Sequence, residues 1–483
     1  MTHGFTRNIK PLDLLSEEGV LNIHRAVLDV LFQTGIRFES EKALDILKKH
    51  GCLVDKDTKR VCFPQGIVEK CISRCPSSFR VKARDSKKDL VFGGSTVYFA
   101  SSPGMMTIDL DTWEQKEPTK DDYYDGVKVL DALPNHHMFC CYTPYFGFIN
   151  LPEVMKIPEG FAAQVTNSTT FIMSCWQKDS EIFTIEMAQA VGMETLIQGM
   201  IAASPLTYYR DSIDCTLRVL EAGFPIGIDT GSVFGATSPA TTAGSLVSFI
   251  SEILAGVVFV QLVKPGTRVF ISGFPWPMNM RNGAPNFGDI QTSMFASANS
   301  QMWRFYNMPH RSTAACYTSS KRIDFQAGYE RAIPTITSAL SGASLIHLHG
   351  GIYGELSHHP VQSILDDDLA GMVGRYIEGI VVNQETIAMD LIEEVGPIPG
   401  TYVHKGHTRK WWKQEQFVPM VADRLTYPEW LEKGKKSAID YARIKFEDIL
   451  AHHKPVPLTS EQGKDIDKIL QKARDYYKKH DLL

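Results

Sequence analysis

"SLIHLHGG", residues 344–351, decides how the rest of the chain is read. Side chains alternate along an extended strand, so His347 and His349 share one face and Ile346 and Leu348 the other. An apolar face suits packing against helices, and a polar face ending in two glycines suits the inside of a closed sheet. Working back, similar short apolar runs occur at 96–100 (TVYFA), 137–142 (HMFCCY), 170–175 (TFIMSC), 195–204 (TLIQGMIAAS), 225–229 (PIGID), 268–273 (RVFISG) and 312–317 (STAACY). Helix-length segments such as KDDYYDGVKVLDAL and RDSIDCTLRVLEAG separate them. Eight strands alternating with helices predict an α/β chain folded as a (β/α)8 TIM barrel. A doubly wound sheet is the alternative, but no Gly-x-Gly-x-x-Gly follows the first run.

Around this core the sequence predicts three parts: an N-terminal helical subdomain (1–94), the barrel (95–380) and a C-terminal helical extension (381–483) packing on the barrel or on an oligomer partner. Ser16 and Ser40 are candidate N-caps of leading helices that stop near Gly35 and Gly51. The C-terminal part mixes charge with aromatics, including Trp411 and Trp412, read as packing anchors.

The chain has 483 residues, 43% of them hydrophobic and 22% charged, an ordinary globular composition. A net charge of −5 gives no electrostatic footprint for nucleic acid. The longest apolar run, 253–263 (ILAGVVFVQLV), is too short to span a bilayer, and the N-terminus lacks a signal-peptide core. The expectations are a cytoplasmic protein with neither nucleic-acid nor membrane partners. Nine scattered cysteines at spacings unlike zinc sites read as free thiols.

In such barrels the chemistry stands at the C-terminal strand ends and in the loops that follow. His347, His349 and, on the fifth strand, Asp229 are expected to point inward there. Aromatic residues crowd the same end: Tyr98 and Phe99 on the first strand, then Tyr142, Trp176, Phe274, Trp276, Tyr317 and Tyr353 in or beside later loops. Rings together with a carboxylate suit a quaternary ammonium, because ring faces carry negative potential. The histidine pair leaves three readings open. Two imidazoles can share a metal, although only Asp229 stands out as a further ligand. Gly350 and Gly351 can cradle an anion. The pair can also be structural.

Several stretches resemble the trimethylamine methyltransferase superfamily: DFQAGYE (324–330), SGASLIHLHGG (341–351), DDDLAGM (366–372) and EVGPIPGTYVHKGHT (394–408). The likeness extends from TGIRFES (34–40) to ADRLTYPEW (422–430). One departure matters. The trimethylamine enzymes carry pyrrolysine shortly before the DFQAGYE-like motif, whereas 314–330 here reads AACYTSSKRIDFQAGYE, all standard residues. The resemblance is therefore to the non-pyrrolysine branch, which implies a barrel that moves a methyl group from a quaternary amine to the Co(I) of a corrinoid on a partner protein. Glycine betaine is the first expected substrate, with proline betaine and carnitine as alternatives. No tightly bound cofactor of the chain's own and no metal are expected, and a homo-oligomer is. A zinc-dependent barrel and a non-catalytic betaine-binding protein are the competing classes.

On this reading Asp229 stabilises the substrate cation and the rings pack its methyl groups. His347 and His349 line the pocket, donating to the betaine carboxylate or approaching the corrinoid, with Gly350 and Gly351 nearby. Arg322 and Arg281 are alternative carboxylate partners. Arg311, just before the seventh run, is read as structural and at the wrong end of the barrel.

Overall fold

The computed structural model describes residues 4–483; residues 1–3 of the leading segment lie outside it. All eight expected strands form: β1 (Thr96–Ser101), β2 (Met138–Phe139), β3 (Phe171–Ser174), β4 (Thr195–Ala203), β5 (Ile226–Thr230), β6 (Val269–Ile271), β7 (Arg311–Ser312) and β8 (Leu345–His349). Neighbours in chain order pair in parallel from β1 to β6, as do β7 with β8 and β8 with β1. A parallel bridge between Ile271 and His310 completes the circuit, with the Ile271 N–H donating to the Pro309 carbonyl at 3.0 Å.

One helix follows each strand: α1 (Lys120–Ala132), α2 (Lys156–Asn167), α3 (Glu181–Ala190), α4 (Arg210–Ala222), α5 (Thr242–Val263), α6 (Ile290–Phe305), α7 (Phe325–Ser341) and α8 (Pro360–Ile377). Local chemistry sets their ends. Thr119 and Asp122 form a capping box at the start of α1, and Asp324 caps α7 by accepting from the Ala327 N–H. α7 stops at Gly342, whose φ of 102° suits a residue without a side chain.

The run at 253–263 is the second half of α5, a helix long and apolar enough by composition to cross a membrane. It lies inside the protein instead, between the strands and the N-terminal helices Glu17–Asp29 and Gln65–Ser73, with 78% of its most apolar window buried. A helix apolar on all sides is stable when covered on all sides.

The segment before β1 contains the three expected helices, Glu17–Asp29, Glu41–Lys49 and Gln65–Ser73, and also short strands that its sequence does not advertise. The hairpin of Phe79–Val81 and Leu90–Phe92 plugs the N-terminal end of the barrel. Its Phe79, Val81, Leu90 and Phe92 join Tyr98, Phe171, Leu196, Phe270 and Leu345 in one apolar cluster. That plug closes the floor of the barrel. After α8, helix Ala438–His452 packs on α8 and α1, and Ser460–Lys479 packs on α3 and α2.

Candidate active site

β7 begins one residue earlier than its sequence suggests, at Arg311, and turns at Thr313 into a single 3-10 turn, Ala314–Cys316. Arg311 is therefore a strand residue. Its side chain, 2% exposed, runs up the barrel interior, and the reading of Arg311 as a structural group at the wrong end is corrected by this placement. Nη2 donates to Asp229 Oδ2 at 2.9 Å and Nη1 to His347 Nε2 at 2.8 Å. Gln198 Nε2 donates to the same Asp229 oxygen at 2.5 Å and to Ser272 Oγ at 2.9 Å. A register shift between Gln198 and Met200 in β4 marks the irregularity beside Gln198.

Above this network lies a cavity of about 120 Å³, lined by Cys140, Cys141, Tyr142, Cys175, Gln198, Phe274, Arg311, Thr313, Tyr317, His347 and Glu355, with Pro103 and Ile201. Drug-sized pockets run to about 300–1,000 Å³, so this one suits a small molecule. A narrower cavity shares Cys140, Cys141, Tyr142 and Cys175 and continues to Phe146, Gly147 and Lys156. Those three also border a surface groove with Met105, Phe148, Ile149 and Leu151. The buried site thus neighbours a second cavity that adjoins a surface groove with a largely apolar rim.

Four expected site residues meet in the cavity: Tyr142, Phe274, Tyr317 and His347. Trp276 stands behind them, stacked on Phe274 with ring centres 6.1 Å apart and 5.9 Å from Tyr317. Asp229 is fully buried below the cavity, and Arg311 and Gln198 engage its Oδ2, leaving it no place on the wall.

His349 is turned away. The pairing of β8 with β1 shifts register between His347 and His349, breaking the alternation that puts both on one face. Its Nε2 lies 3.3 Å from Asp367 on α8, and its ring packs edge-on to His136. Gly350 and Gly351 are not a free anion cradle, since the Gly350 N–H donates to Asp366 and the Gly351 carbonyl accepts from Arg331. Tyr98 belongs to the floor cluster and Phe99 to the cluster facing α7 and α8. Trp176 packs against the helices around the barrel rather than in the cavity. Tyr353 lies under the Lys321 ammonium at 4.3 Å, exposed Arg322 pairs with Asp324, and Arg281 is exposed.

The electrostatics limit what the site does. Arginine only donates, so His347 Nε2 accepts and carries no proton there. Burial and the Arg311 charge push the His347 pKa well below the usual value, and the ring is neutral. Cys140 Sγ lies 2.6 Å from the same nitrogen, yet burial outweighs Arg311 and raises its thiol to about 12. The pair is thus thiol and imidazole, not thiolate and imidazolium. Cys175 differs: hydrogen bonds from Cys141 and, at 3.2 Å, from the Tyr142 hydroxyl outweigh burial and lower its pKa. Among the described residues no three His, Cys, Asp or Glu side chains converge in a metal-binding arrangement.

The sequence reading missed the cysteines, Gln198, Thr313 and Glu355. Cys140 and Cys141 stand just past β2, where barrel chemistry is placed, and that position was the available signal. Glu355 lies in a loop with no periodicity, and no signal marked it.

The chain is 29% identical to a glycine betaine methyltransferase of Desulfitobacterium hafniense (strain Y51), over 93% of this chain and 94% of that protein. It is 28% identical to the trimethylamine methyltransferase MttB of Desulfitobacterium hafniense (strain DSM 10664 / DCB-2), over 96% and 94%. The crystal structure of the Methanosarcina barkeri monomethylamine methyltransferase is 12% identical, covering 95% of this chain and 92% of that one, with a TM-score of 0.47, a likeness too distant to argue from. The trimethylamine methyltransferase (MTTB) family profile matches residues 1–477, and the chain belongs to that family.

Proposed function

We propose that the protein removes a methyl group from a small quaternary amine, glycine betaine foremost, and delivers it to the Co(I) of a corrinoid held by a partner protein. The observation that carries this reading is the small aromatic-walled cavity at the open end of the barrel, with Tyr142, Phe274 and Tyr317 on its walls. A quaternary ammonium leaves as a neutral amine, so its demethylation requires no general acid. His347, held neutral by burial and by Arg311, suits such a site better than it suits proton transfer. The chain's own work is to position one N-methyl toward the opening and to exclude water. The apolar rim of Met105, Phe146, Phe148 and Ile149 suits a partner that brings the methyl acceptor. Family membership and the 29% identity to a glycine betaine methyltransferase support the same reaction. The cavity size favours glycine betaine over the bulkier proline betaine and carnitine. Nine free cysteines suit the reducing cytoplasm.

Cys175, on the cavity wall and accepting from the Tyr142 hydroxyl at 3.2 Å, supplies a second reading, in which a thiol of the chain itself takes the methyl group. One experiment separates the two. Cob(I)alamin is generated anaerobically and mixed with the protein and, separately, glycine betaine, proline betaine, carnitine and trimethylamine, then again with a corrinoid protein. Methyl-cobalt formation with a quaternary amine, and not with trimethylamine, is the expected result. A methylated Cys175 in the mass spectrum, without cobalt, moves the assignment to the thiol. Betaine binding with neither product reduces the protein to a binding module.

We also read the chain as self-associating, because none of residues 378–420 is buried although they carry many large apolar side chains.

A further inference from the structure

Asp229 cannot balance a cation in the cavity, since its charge is committed to Arg311. Glu355 supplies the missing carboxylate. Its loop, between β8 and α8, is pinned by main-chain hydrogen bonds. The Met105 N–H donates to the Glu355 carbonyl at 3.1 Å, and the Met106 N–H to the Leu356 carbonyl at 2.9 Å. The antiparallel pairing of Gly351–Ile352 with Ser357–His358 closes the loop's base. The backbone is therefore fixed, while the side chain lines the cavity and makes no hydrogen bond or ion pair with any described residue. Such an unpaired carboxylate is costly in partly desolvated surroundings, and burial raises its pKa. Its charge also reaches Tyr142 and Tyr317, the rings that wall the same space.

We propose that Glu355 is the counter-ion of the substrate's quaternary nitrogen, held among Tyr142, Phe274 and Tyr317. This deepens the reading of the site as a quaternary-amine site and rests on it. The ligand class is then a compact quaternary ammonium with its cation toward Glu355. Cation and ring faces attract, and the carboxylate adds the charge that the rings lack.

The role has a kinetic signature. The positive charge on nitrogen disappears as the methyl group leaves, so a carboxylate holds the ground state more tightly than the transition state. Glu355 therefore sets KM and does not promote the chemical step. Glu355→Gln removes the charge and keeps the shape. The expected result is a KM for glycine betaine raised roughly tenfold or more, about 1.4 kcal/mol of binding, with kcat unchanged or higher.

Calorimetry on the wild-type protein gives a second measurement that needs no variant. Glycine betaine, its uncharged-nitrogen isostere tert-butylacetate and tetramethylammonium are titrated in turn, then repeated with Glu355→Gln. The wild type should prefer betaine to tert-butylacetate by about tenfold or more, and the variant should lose that preference. Equal affinity of the wild type for betaine and isostere, an unchanged preference in the variant, or no binding of any cation overturns the proposal. Glu355-dependent binding of tetramethylammonium without any demethylation upholds the counter-ion role and removes the proposed reaction instead.

Discussion

Buried histidines make this protein sensitive to acid. His310 and His358 are fully enclosed and His359 is partly buried, and burial lowers their pKa values to about 4, about 3 and about 4. His136 and His347 are likewise pushed well below the ordinary value, again by burial first. An unfolded chain takes up these protons near pH 6.5. Between pH 6.5 and 4 the unfolded state therefore binds more protons than the folded one, and stability falls as pH falls. Above pH 6.5 neither state is protonated and the contribution is level. Each such group adds a slope of up to about 1.4 kcal/mol per pH unit in that window. Denaturant unfolding at successive pH values should show a plateau above 7 and a steep decline from 6.5 to 4. His358→Gln should shallow that decline. A stability curve flat from pH 7 to 5 refutes the account.

At the scale of the elements, two of the resembling motifs, DDDLAGM and DFQAGYE, act as fasteners. Three consecutive aspartates on α8 each hold a different part of the molecule. Asp366 binds Arg331 of α7, with Oδ1 2.8 Å from Nε, and accepts from the Gly350 N–H. Asp367 accepts from Asn135 before β2 and lies beside His349. Asp368 accepts from the N–H groups of Met420, Val421 and Ala422 in the C-terminal extension. Neighbouring positions on a helix point about 100° apart, so all three can be buried only where protein surrounds α8. Glu330 at the end of DFQAGYE accepts from Thr318 and the Ser319 N–H and so shapes the wall beside Tyr317. Arg331 and Asp366 are each 2% exposed, and removing one partner strands a buried charge. Arg331→Met should cost about 3–5 kcal/mol in chemical unfolding, and Arg331→Met with Asp366→Leu should cost less than the single change. A single variant as stable as the parent, or a double variant worse than it, refutes the fastening role. The strands were legible because each is an apolar run enclosed by turn signals, and the barrel followed from counting them. Their ends were not. The β8 irregularity that turns His349 away adds no residue type to the sequence, and Arg311 looked like a loop charge because its partner, Asp229, is 82 positions distant. The cavity wall comes largely from loops, where no period separates Glu355 from its neighbours.

Across the whole molecule, the segment from 378 to 420 is the part that the rest does not explain. It forms helices, including Met389–Val395 and Gly406–Glu415, yet buries none of its side chains. Ile380 is 85% and Ile398 95% exposed, and Val382 and Val403 are nearly as open. It holds two internal ion pairs, Lys405 with Glu394 at 2.7 Å and Lys410 with Glu385, and many of its large apolar side chains face outward. The segment is tied to its own barrel by Arg375 of α8, which donates to the Gln414 carbonyl and pairs with Glu415. On that barrel α7 shows Phe325, Tyr329 and Ile333 at successive turns, and α8 shows Met372 and Tyr376. One molecule thus carries both an arm with exposed apolar side chains and, beside its root, a second set of them on α7 and α8. Two copies related by a two-fold axis can cover both at once, since each contact made by one copy is returned by the other. An exposed apolar area of this extent on a lone chain also favours aggregation. The chain should sediment as a dimer or a multiple of one. Ile398→Asp together with Phe325→Asp should shift it toward the monomer while circular dichroism stays unchanged. A wild-type protein that remains monomeric at tens of micromolar, with no change on making the double variant, removes the second copy as the occupant and leaves the arm free for a different protein.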